Sequence, residues 1–159
     1  MIGIGQDLRG DDAVGMAVVR QWAADNPQKL ASRQIEVDTI PLPGLGLLDQ
    51  ISGYQTAILV DAVLCGPGVD AGALFRLSPD DLADFTRGTG SAHGWGVAES
   101  LKLGRTLKME NLPEKIILLG IGGKQVDVGA GMSPEVAAAI PEAVLMLDQL
   151  VIDWANAEK

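Results

Sequence analysis

Hydrophobic positions in this chain change period several times, and each change marks an element. Ile2–Gly5 reads as a short first strand. From about Asp12 to Asp25 the apolar residues Val14, Val18 and Trp22 recur every fourth position, the stripe of a helix buried on one side, with Asp11 as its candidate cap. Gln34–Ile40 (QIEVDTI) alternates apolar and polar and predicts a half-buried strand. Pro and Gly turn the chain over residues 42–46, and Leu47–Ile51 follows as a short helix. Thr56–Asp61 (TAILVD) is a continuous apolar run closed by a carboxylate, which suits a central parallel strand buried on both faces.

Beyond a turn-rich CGPGVDAG loop, Ala73–Leu77 predicts an antiparallel or edge strand. Ser78–Gly90 is polar and glycine-containing, and is expected to be a mobile loop with a short helix. Gly94–Lys108 predicts a helix with Val97, Leu101 and Gly104 on one face. Lys115–Ile121 (KIILLGI) is the last strand, followed by a glycine-rich loop to Met132. Ser133 and Pro134 suit the N-cap and first position of a final helix, which carries Val136, Ile140, Val144, Leu147 and Val151 on one side. Pro141 is expected to kink or restart that helix.

Strands separated by helices imply a single α/β domain over residues 1–159. The expected form is a three-layer sandwich: a twisted, mostly parallel sheet of about five strands with helices on both faces. In such sheets the functional crevice lies beyond the carboxyl ends of the strands.

Charge and composition narrow the partners. Twelve Lys and Arg against 21 Asp and Glu give a net charge of −9, which argues against nucleic acid and against an anionic membrane surface. Hydrophobic residues make up 47% of the chain, yet no apolar run approaches the ~20 residues that span a bilayer. A cytoplasmic protein is expected. The single cysteine, Cys65, excludes an internal disulfide and a cysteine-rich zinc site. The single histidine, His93, must carry any histidine-dependent chemistry.

Asp12 follows the loop that leaves the first strand, Asp61 ends the TAILVD strand, and His93 precedes a helix after a glycine-rich loop. A doubly wound sheet would place both carboxylates at its carboxyl edge, with the loop before His93 able to reach them. Two carboxylates and an imidazole form a mixed oxygen/nitrogen set that suits a divalent metal such as zinc or nickel while leaving positions open. The competing reading makes Asp11 and Asp12 helix caps and His93 an ordinary polar residue. Other motifs are weaker. Gly3-Ile4-Gly5 opens like a dinucleotide fingerprint but lacks the third glycine, since position 8 is Leu8. Lys124 lacks P-loop spacing. Cys65 reads as a small residue in a tight loop, and Trp22, Trp95 and Trp154 as packing residues, with Trp95 close enough to His93 to line a cleft.

In order along the chain, GIGQDLRGDDAVG (3–15), VDAVLCGPG (60–68), SAHGWGVAESLKLG (91–104), LLGI (118–121) and GMSPEV (131–136) resemble the motifs of the hydrogenase maturation proteases. This family processes the large subunit of nickel-iron hydrogenases. The resemblance spans almost the whole chain and implies that Asp12, Asp61 and His93 are the metal-recognising and catalytic residues. It implies an endopeptidase that removes the C-terminal extension of a large-subunit precursor after nickel insertion. The substrate-borne nickel would be the recognition signal, with another divalent metal such as zinc or cadmium expected in the isolated protein. The expected partner is that precursor, met by a monomer. Two departures stand out: the chain reaches GIG after only two residues, so the first strand should be short, and Gln6 stands where the family commonly has Asn. The alternatives are a non-enzymatic nucleotide-binding regulatory module and a precursor chaperone that does not cut.

Overall fold

The computed structural model describes residues 1–32, 34–64, 66, 68–79, 81 and 96–157. Within them the chain runs β1 (Ile2–Ile4), a 3-10 turn (Gly10–Ala13), α1 (Val14–Asp25), α2 (Pro27–Ala31), β2 (Asp38–Ile40) and α3 (Gly46–Ile51). It continues through β3 (Thr56–Leu64), β4 (Leu74–Leu77), α4 (Val97–Thr106), β5 (Lys115–Gly123) and α5 (Pro134–Ala157). The strands form one sheet in the order β2-β1-β3-β5-β4, parallel except for β4, which runs antiparallel to β5 at the edge.

Alternation along the central strands divides the core into two layers. Ile58 and Val60 of β3, with Ile117, Leu119 and Ile121 of β5, face α1 and α5, where they meet Val14, Val18, Trp22, Val136, Val144, Leu147 and Val151. Ala57, Leu59 and Leu118 face the other way, against Leu47, Leu48 and Ile51 of α3 and Val97 and Leu101 of α4. Burial on both faces explains why β3 and β5 read as unbroken apolar runs. Trp22 is wholly buried, its indole N–H donating 3.0 Å to Asp148 of α5, and Lys29 of α2 bonds the same carboxylate. Among the described residues, no helix is long and apolar enough to cross a membrane.

The structure revises several local expectations. β2 is three residues long rather than seven, because a strand needs a neighbour: β1 begins at Ile2, which lies opposite Asp38. β3 runs three residues past Asp61 to Leu64, paired throughout with β5. A 3-10 turn precedes α1, and α2 was not foreseen. α5 passes through Pro141 as one helix rather than restarting. Ile140 is only half-buried, while Ala139, Ala143 and Leu150 complete the buried face. Most of the loop expected over residues 78–90 lies outside the described residues.

Helix α1 lies unusually close to the sheet. A Cβ on Gly15 would fall 2.2 Å from the Val60 carbonyl oxygen and 2.5 Å from that of Ile4, both backbone atoms that cannot swing away. Gly15→Ala should therefore push α1 off β1 and β3 and cost about 2–3 kcal/mol in urea unfolding. Gly46→Ala, where nothing lies within 4 Å, should be neutral or slightly stabilising.

Candidate functional site

The chain leaves β1 through Gly5, which is buried and has φ +135°. A Cβ there would lie 1.7 Å from the carbonyl oxygen of Asp12, so only glycine lets the strand pass beneath the turn that carries Asp12. The next residue closes the arrangement: the Gln6 backbone N–H donates to Asp12 Oδ2 at 3.0 Å. That contact uses the backbone, so Gln in place of Asn leaves it intact. Asp12 is 1% exposed.

The same turn packs against β3. Gly3 of β1 lies opposite Val60, so Asp61 is the next residue towards the carboxyl end of β3. Asp61 is half-buried, lies opposite Gly120 of β5, and its Oδ1 accepts the Ala62 N–H at 2.8 Å. The connection after β1 runs through α1 to one flank of β1, and the chain then returns through α3 to β3 on the other flank. The β1/β3 boundary is thus the topological switch point of the sheet, where parallel α/β folds open a crevice. The structure therefore brings Asp12 and Asp61 to one edge, as their positions in the sequence suggested. His93, Trp95 and Cys65 lie outside the described residues. Among the described residues, no group of three His, Cys, Asp or Glu side chains is placed to hold a metal.

Asp11 is the residue whose role the sequence reading missed. It is wholly buried and does not cap α1. Its Oδ2 accepts the backbone N–H groups of Lys124 and Gln125, both at 2.9 Å, and the Ser133 hydroxyl at 3.0 Å; its Oδ1 accepts the Ser133 N–H at 2.6 Å. The backbone adds a fifth link, Asp11 N–H to the Gln125 carbonyl at 2.7 Å. One carboxylate thereby ties the turn carrying Asp12 to both ends of the loop between β5 and α5. An acid at a helix start looks local, and partners more than a hundred residues away leave no periodic trace. The available signal was a second acid beside Asp12 together with the glycine-rich approach to Ser133.

Burial pushes the Asp11 pKa up, but the three backbone donors and the Ser133 hydroxyl outweigh it and hold the carboxyl below its ordinary 3.8. A depressed carboxylate contributes stability above its unfolded pKa and loses it as pH falls through the folded value. Asp11→Asn replaces an acceptor with an NH2 that faces buried donors. It should cost roughly 2–4 kcal/mol at pH 7. That gap should narrow below about pH 4, as measured by urea unfolding across pH.

Residues 42–149, which include Asp61 and His93 and begin downstream of Asp12, match the sequence profile of the family described as hydrogenase maturation protease, HycI. Protein FrxA of Pyrococcus furiosus is 27% identical over 143 residues, covering 89% of this chain and 96% of that protein. Among solved structures, the [NiFe] hydrogenase maturation protease HybD from Thermococcus kodakarensis superimposes with a TM-score of 0.70 at 24% identity, over 94% of this chain and 95% of that one. The hydrogenase maturating endopeptidase HybD from E. coli gives 0.73 at 21% identity, over 96% and 90%. These structural likenesses establish a shared fold. The profile match across two thirds of the sequence goes further: this chain belongs to the hydrogenase maturation protease family.

Proposed function

We propose that this protein is the endopeptidase that removes the C-terminal extension from a nickel-iron hydrogenase large-subunit precursor, and that it reads the nickel already inserted into that precursor through Asp12, Asp61 and His93. The observation that supports the reading is that the turn carrying Asp12 packs against β3, the strand carrying Asp61, at the β1/β3 switch point.

The donor set suits the task. Two carboxylates and one imidazole are hard-to-borderline ligands that leave coordination positions open. A three-donor site can share an ion still held by substrate cysteines, which a closed four-ligand cage cannot. The Gln6 N–H on Asp12 Oδ2 sets the plane of that carboxylate before substrate arrives, so orientation need not be gained during binding. Substrate-borne nickel supplies Lewis acidity next to the scissile bond. A carboxylate of the pair takes the proton from attacking water.

Asp12→Asn keeps an oxygen for Gln6 but loses the anionic donor; His93→Ala removes the only imidazole. Each variant should fold with wild-type secondary structure, yet process nickel-loaded precursor at least about a hundredfold more slowly. Mass spectrometry of the precursor's C-terminus reads the outcome. Wild-type rates from both variants would rule out the assigned trio.

A further inference from the structure

Single leucines on a protein surface are ordinary; large apolar side chains that the backbone holds together in water are not. Among the described residues, the two most exposed large hydrophobic side chains are Val128, 78% exposed, and Leu8, 74% exposed. They are far apart in sequence and side by side in the fold. The N–H of Gly129, the residue after Val128, donates to the Leu8 carbonyl at 2.8 Å. Two more bonds extend the seam: Gly10 N–H donates to the Ala130 carbonyl at 3.1 Å, and Arg9 Nε donates to the Val126 carbonyl at 3.2 Å. The Asp11 carboxylate ties the same two segments at their base.

This seam belongs to the turn that carries Asp12. The Asp12 N–H donates to the Arg9 carbonyl at 3.1 Å, and the Arg9 N–H donates to the Gln6 carbonyl at 3.1 Å. Leu8 and Val128 therefore stand at the carboxyl edge of the sheet, on the side of α1 and α5, the helices that follow these two segments. Neither side chain belongs to either layer of the core, so the stability of the fold gives no reason for large apolar groups at these positions.

Shape decides what they fit. Extended peptides are held in grooves or along strand edges, where the backbone and alternate side chains are both met. A side chain three-quarters exposed on a tied backbone is the reverse: a knob that fills a depression in something else. It enters without the ordering cost that a loose loop would incur.

Resting on the maturation-protease reading above, we propose that Leu8 and Val128 form a docking knob that seats in an apolar depression on the folded body of the large-subunit precursor. The knob stands beside the edge where the peptide is presented to Asp12 and Asp61. The peptide to be cut then reaches that edge with the body it hangs from anchored at one flank. Docking and cleavage are carried by different residues, so they separate in the kinetics.

The test is the double variant Leu8→Ser, Val128→Ser, with Leu145→Ser as control. Leu145 is similarly exposed but lies in the middle of α5. With nickel-loaded precursor, the double variant should raise KM about tenfold or more and leave kcat within about twofold. Its Tm should match the wild type, since neither side chain is buried. Each single variant should show part of the rise in KM, and Leu145→Ser none. A synthetic peptide of the precursor's C-terminal extension, titrated in a calorimeter, should bind the wild type and the double variant alike. An unchanged KM in the double variant, or an equal rise with Leu145→Ser, would overturn the docking site and leave the proposed function standing. Peptide binding weakened as much as precursor binding would put the extension on the knob and overturn the folded body as its occupant. An intact extension after incubation with the wild-type protein would overturn the proposed function, and the docking site with it.

Discussion

The carboxylate of Asp11 holds together segments that the sheet alone leaves apart. The turn after β1 and the loop after β5 both project from the carboxyl edge, where no strand pairing constrains them. Four hydrogen bonds to one buried anion join them. Charge-assisted bonds of this kind are stronger than neutral ones, and burying a carboxylate is tolerable only when its oxygens are satisfied in this way. Asp12 is the next residue. Its placement follows from a fixed neighbour on one side and the Gly5–Gln6 bend on the other, so the turn is held from both sides.

That anchoring gives the proposed chemistry a physical basis in this chain. In the proposed function the substrate is a hydrogenase large-subunit precursor, a protein for which an open edge suits better than a deep pocket. The boundary between β1 and β3 is such an edge in this fold, and the proposed site residues Asp12, from the turn after β1, and Asp61, from β3, lie beside it. Glycines at positions 5 and 15 allow the turn and α1 to sit against the strands with no side chain between them.

Much of the architecture was legible because burial on both faces writes itself into composition. TAILVD suits a central strand, KIILLGI reads as a strand, and the four-residue spacing of Val14, Val18 and Trp22 reads as a buried helix stripe. What escaped depended on partners rather than on local pattern. Gln34–Ile40 alternates correctly, yet only Asp38–Ile40 pairs, because β1 offers nothing opposite the earlier residues. Asp11 looked like a cap because its ligands are remote in sequence. Pro27 opens a short helix with no buried residue of its own, so it left no hydrophobic signature. The placement of Asp12 and Asp61 was legible from topology: Asp12 follows β1 and Asp61 lies in the carboxyl-terminal half of β3, and such positions converge at one edge of a parallel sheet.

The proposed function requires that metal carried by the substrate, not chain sequence alone, license cleavage at the Asp12–Asp61 edge. Incubating the protein with the large-subunit precursor of its own organism, with and without inserted nickel, and weighing the precursor by mass spectrometry tests this directly. Loss of the C-terminal extension only from the nickel-loaded precursor is the predicted result; equal cleavage of both forms, or an intact extension in both, would contradict it.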